Sequence, residues 1–309
     1  MDASAKQVIL FIGLGMMGSP MAALLAKAAY PLLVADADTR RASAFADAHG
    51  ATAVDLRAPG WPAADVVITM LPSSSVVEQV VLGDAGRPGL LALLKPGVTL
   101  IDMGTSEPLR SRELAQKLSN AGIGFIDAPV SGGVKRAVEG SLAIMAGGDK
   151  DTFEAVVDIL GCMGENLFHV GGPGAGHAMK ALNNYVSASG LVAAVDAMHV
   201  GERFGLSPAM VIDVLNASSG RNNATENKAR QFMMNGKYDS GFSLQLMVKD
   251  LTIASELATG AGYAMPMASE CLALWADASG RLDRVADHTE MYHLMDGSKP
   301  GTSKPGGEA

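Results

Sequence analysis

At 309 residues the chain is too long for one ordinary hydrophobic core, so two domains are expected. Hydrophobic residues make up 48% of it, the balance of a folded protein and not of a solvated tail. Its net charge of −8 speaks against nucleic acid or an acidic membrane surface as a partner.

The opening MDASAKQVILFIGLG holds one short apolar run, residues 8–12, too brief for a signal-peptide core. No stretch approaches the roughly 20 apolar residues of a membrane span, so a cytoplasmic globular protein is expected. Short apolar runs at 8–12, 32–35, 66–71, 98–101, 123–126 and 142–145 read as buried strands. Helical stretches such as 16–29, 107–120 and 152–160 lie between them. That alternation predicts an α/β fold, a doubly wound and mostly parallel sheet of the Rossmann type, over residues 1–172. After VGGPGAG the strand signal stops. Residues 176–205 predict one long interdomain helix, followed by helices at 208–216, 225–235, 243–260 and 266–278. Pro208 and Pro266 stand where a helix start tolerates proline. An all-helical domain over 173–296 is therefore expected, with a Gly/Pro-rich disordered tail at 297–309.

Gly13, Gly15 and Gly18 form G-x-G-x-x-G between the first strand and the first helix. In that setting the first glycine permits the turn and the second lets a diphosphate approach the backbone. The third lets helix and strand pack closely. Asp36 ends the second strand, 18 residues past Gly18. A carboxylate there can accept from both ribose hydroxyls and repels a 2′-phosphate, which favours NAD over NADP; Arg40 and Arg41 nearby could still capture a phosphate. Ser131-Gly132-Gly133 in DAPVSGG offers a hydroxyl and unshielded N–H groups to an anion, or else is only a turn before a helix. In GHAMKALNN, residues 176–184, Gly176, Lys180 and Asn184 fall along one helix face. Gly176 is expected to leave room beside the ammonium, Lys180 to supply a proton and Asn184 to orient an oxygen. A lone lysine is more often simply solvated.

The four stretches FIGLGMMGSPMA, DAPVSGGVKRAVEGSLAIMAGG, GHAMKALNN and MVKDLTIA resemble, in that order, the motifs of the β-hydroxyacid dehydrogenases. The resemblance implies a cofactor loop of Gly13, Leu14, Gly15, Met16, Met17 and Gly18, with further cofactor contacts at Leu71, Pro72, Thr105 and Lys249. It implies a substrate-carboxylate site at Ser131, Gly132 and Gly133, with Lys180 catalytic and Asn184 its partner. Homodimers or homotetramers are also implied. Asp36-Ala37-Asp38 stands where NADP-preferring relatives carry Asn-Arg-Thr, and Gly104 replaces a frequent serine.

The implied reaction oxidises a small 3-hydroxy acid to its semialdehyde, or reverses this, with NAD. Lys180 would take the hydroxyl proton, which requires its pKa to fall from ~10.4 towards ~7–8 by burial and by the positive cofactor. Imine reductases of similar design replace the lysine by Asp or Tyr. A 6-phosphogluconate dehydrogenase would be longer and carry a polybasic phosphate site. A protein that holds NAD without turnover would have no need of Lys180. His177 reads as a packing or capping residue as readily as a site residue, and Arg221 as a solvated residue or a second carboxylate contact. Six histidines and two cysteines, Cys162 and Cys271, show no ligand spacing, so no metal is expected.

Overall fold

The computed structural model describes residues 6–58, 63–84, 86–282 and 284–296. The tail expected to be disordered lies outside them. The chain folds as two compact units, one up to Lys180 and one from Ala181.

The first unit runs β1 (Ile9–Ile12), α1 (Gly18–Lys27), β2 (Leu32–Ala35), α2 (Thr39–His49), β3 (Thr52–Ala53), β4 (Val66–Thr69) and α3 (Ser74–Leu82). A small hairpin, β5 (Gly83–Asp84) and β6 (Arg87–Pro88), precedes β7 (Thr99–Asp102), α4 (Pro108–Asn120) and β8 (Gly124–Asp127). Then come β9 (Val130–Ser131), α5 (Gly133–Glu139), β10 (Leu142–Gly148), α6 (Lys150–Glu154), α7 (Val157–Gly161) and β11 (Gly164–Gly171). The sheet order is β11-β10-β8-β7-β4-β1-β2-β3, with β9 paired to β10. From β3 to β8 every pairing is parallel, whereas β10 is antiparallel to β8. Both faces are covered, as a parallel sheet requires. Ile9, Phe11, Val34 and Ile68 point into one core, and Leu10, Ile12, Leu33 and Val67 into the other.

Several helix starts are written in the local sequence. Asp38 caps α2, Ser73 caps α3 and Asp149 caps α6, while Pro108 opens α4. The expected helix at 152–160 is two short helices, because Val156 between them adopts φ −119° and ψ 3° and is buried in the core.

The second unit is helical among its described residues. It takes most of α8 (Ala175–Phe204), then α9 (Pro208–Ala217), α10 (Asn223–Asn227), α11 (Leu244–Gly260), α12 (Pro266–Gly280) and α13 (Met291–Met295). Leu191, Val195, Leu244, Met247, Leu251 and Trp275 build its core. The helix expected at 225–235 begins earlier and breaks. Asn222 and Thr225 close a capping box at its start, and from Lys228 the chain widens into one π-helical turn, Ala229–Met233. Among the described residues no helix is long and apolar enough to cross a membrane.

Candidate active site

Of the residues expected to hold a dinucleotide, all but Lys249, which lies on α11 of the second unit, follow the carboxyl ends of β1, β2, β4 and β7, where open α/β sheets bind ligands. Gly13 leaves β1 at φ +98°, and a β-carbon on it would lie 2.4 Å from the Met70 carbonyl oxygen. A β-carbon on Gly18 would lie 1.9 Å from the Gly13 oxygen, so helix and turn meet only because residue 18 is glycine. Gly15 instead faces open space, between buried Leu14 and exposed Met16. Helix α1 follows Met17 with no side-chain cap; Ser19 donates its N–H to the Gly15 oxygen and Pro20 has none, so fewer N–H groups face an anion here than at an ordinary helix start.

Asp36 does more than end β2. One carboxylate oxygen accepts from the Leu14 N–H at 2.7 Å, the other from the Asp38 N–H at 2.8 Å. Arg41 Nη1 lies 3.2 Å away, while Arg40 pairs with Asp38. Asp36 therefore clamps the glycine loop from its far side.

Leu71 and Pro72 follow β4, and the 102–106 loop crosses them. A β-carbon on Gly104 would be 2.6 Å from the Leu71 oxygen, a steric reason for glycine here. Buried Asp102 fixes that loop, accepting from Thr69 Oγ1 (3.1 Å), the Gly104 N–H (3.1 Å) and Ser106 Oγ (2.7 Å). Thr105 is carried inside it.

Ser131 pairs with Ala143 of β10, and the chain then turns through Gly132 (φ +137°) and Gly133 (φ +69°) into α5. Both glycines are exposed, and α5 has no side-chain cap.

Gly176 serves packing, in place of the room for ligand that its spacing suggested. A β-carbon there would lie 2.2 Å from the Met145 oxygen and 2.5 Å from the Asp127 oxygen, so helix α8 starts against the end of β8 and the middle of β10. His177, one residue on, is wholly buried, with Nδ1 2.7 Å from Ser111 Oγ. It is an interior residue of the first unit. Lys180 follows within the first turns of α8 and is only 7% exposed.

In the second unit Asn184 donates from Nδ2 to Asp250 Oδ2 at 2.5 Å and accepts from Asn183 Nδ2 at 3.1 Å. Its amide is thus fixed in one orientation. Lys249 Nζ stands 3.8 Å from the other Asp250 oxygen. Asp250, next to Lys249, is a residue the sequence does not mark, because its partner lies 66 residues away. Arg221 pairs with Glu226 at 3.7 Å on the surface, beside the capped start of α10.

An uncapped helix behind a turn open at Gly15, with an acid at the end of β2, fits NAD. Two family descriptions match the chain. That of the NAD-binding domain of 6-phosphogluconate dehydrogenase covers residues 8–171, and that of the NAD-binding region of NADP-dependent 3-hydroxyisobutyrate dehydrogenase covers residues 174–295. Mitochondrial 3-hydroxyisobutyrate dehydrogenase of Homo sapiens is 40% identical over 84% of this chain and 77% of its own. The NAD-dependent L-serine dehydrogenase of Pseudomonas aeruginosa is 38% identical over 86% and 90%. The solved structure of Mycobacterium tuberculosis 3-hydroxyisobutyrate dehydrogenase with L-serine superposes with a TM-score of 0.84 at 32% identity, covering 94% of this chain and 99% of that one. The chain is an NAD-using oxidoreductase and belongs to the β-hydroxyacid dehydrogenase family.

Proposed function

We propose that the protein interconverts a small 3-hydroxy acid and its semialdehyde, with Lys180 as general acid/base. The observation that carries this reading is a lysine buried one helical turn from an asparagine whose amide is already oriented. Bound NAD supplies the hydride acceptor. Residues 13–18 and Asp36 hold it, with Leu71, Pro72, Thr105 and Lys249 as further contacts. Ser131 and the N–H groups of Gly132 and Gly133 take the substrate carboxylate. Lys180 would take the hydroxyl proton through its neutral amine and return it from the ammonium form in the reverse direction. Asn184 retains one N–H and one acceptor lone pair to hold that hydroxyl without adding charge.

The substrates in the names of the relatives, 3-hydroxyisobutyrate and L-serine, share a carboxylate on the carbon that bears a hydroxymethyl group. We infer the same substrate class here. The working form is a homodimer or homotetramer, supported by exposed Val200, Phe204, Met210 and Val214 of the helical unit. A protein that merely stored NAD would gain nothing from burying Lys180.

The test follows reduced-nicotinamide absorbance with NAD or NADP and a panel of 2-substituted 3-hydroxypropanoates. Turnover with NAD and at least one member is expected. Turnover with NADP alone would overturn the role given to Asp36, and NADH binding with no turnover across the panel would overturn the substrate class.

A further inference from the structure

The first turn of α8 lacks a local cap. Its N–H groups have no intrahelical acceptors, and the residue at the usual capping place, Gly174, has no side chain. The Ala175 N–H donates to the nearby Gly172 oxygen, and two further donors are met from a distance. The Gly174 N–H donates to Asp127 Oδ1 at 2.7 Å and the His177 N–H to Asp127 Oδ2 at 2.8 Å. Asp127 is fully buried and comes from the end of β8, 47 residues before Gly174. We propose that Asp127 is a positioning residue, which seats the start of α8 by two charge-assisted hydrogen bonds and so sets the place of Lys180.

Three observations support this. Asp127 opens the stretch that leads through Ser131 to Gly133, so one residue ties the proposed carboxylate site to the helix of the proposed base. The approach is close enough to need glycine on both sides. A β-carbon on Gly147 would lie 2.7 Å from Asp127 Oδ1, and one on Gly176 would lie 2.9 Å from Oδ2. The clamp also has a second arm. The His177 ring lies 3.7 Å from both Asp127 Oδ2 and Asp102 Oδ2, and its Nδ1 meets Ser111 of α4. Asp102 in turn holds the loop that carries Thr105.

Burial pushes the Asp127 carboxyl up, against the pull of His177 and the two N–H donors. A buried carboxylate is a costly cap, but it offers two separated acceptors that a hydroxyl could not.

The assignment rests on Lys180 acting as the acid/base, and the experiment separates the two. Asp127→Asn keeps the shape but turns one acceptor into a donor facing an N–H. Turnover is measured per NADH-binding site, with the KM for NAD and the pH profile of kcat. We expect kcat to fall at least about tenfold with the KM for NAD within about twofold, and the limb of the profile due to Lys180 to move. A kcat per site within twofold of wild type, or an unmoved limb, would overturn the assignment. Should Asp127→Asn not fold, Gly147→Ala wedges the helix start from the carboxylate without altering a charge, and the same two outcomes apply. Lys180→Ala runs alongside. If it stays active the reading of Lys180 falls. If it is inactive while Asp127→Asn is fully active, only the role of Asp127 falls.

Discussion

Asp250 binds the amide of Asn184 through one carboxylate oxygen and faces Lys249 with the other, linking two residues expected at the site. Without it the Asn184 amide would keep only its bond from Asn183 and lose the stronger one that sets its orientation. We predict that Asp250→Ala lowers kcat/KM for the hydroxy acid by about 10²-fold, with NADH affinity within a few-fold by fluorescence titration. Unchanged kcat/KM would show that Asn184 needs no support. That Lys180 and Asn184 share one face of α8 is legible in the sequence from helical spacing. Asp250 and Asp127 were not, since their partners lie 66 and 47 to 50 residues distant and no local spacing marks such pairs. His177 illustrates the same limit: its neighbours Ser111, Asp102 and Asp127 come from three other elements.

At the level of elements, the central strands were readable because each is a short run buried on both faces. Strand β11 was missed. It is an edge strand with most residues partly or fully exposed, so GENLFHVG carries neither a buried run nor a clean alternation. The expected length of α8 was right, but the reason for its first glycine was not. Gly176 lets α8 start against two strand carbonyls. Gly176→Ala should therefore cost about 1–3 kcal/mol by forcing backbone apart, seen as a lower melting temperature. An unchanged melting temperature would mean that the helix start shifts freely.

For the whole molecule, acid should loosen the helical unit first. Burial holds the His288 imidazole below its ordinary value of 6.5, although Asp287 pulls it upward. Burial also raises the Asp287 carboxyl, but hydrogen bonds from His288 and Thr289 outweigh it and leave the group well below the ordinary carboxylate range. Both folded values are depressed, so both contributions are present above the unfolded values and fade as pH falls, the histidine's below about 6.5 and the aspartate's below about 3.8. Melting temperature should drop between pH 7 and pH 5, and His288→Gln should flatten that drop; a wild-type curve flat over this range would contradict it. Assembly is tested separately. Phe204 is 84% exposed, and Phe204→Glu should at least halve the mass seen by sedimentation. A monomeric wild type would remove that argument. The most direct test of the account is turnover by Lys180→Ala, measured beside NADH binding. Turnover is expected to fall by about 10²–10⁴-fold while NADH still binds. Turnover within a few-fold of wild type would contradict it.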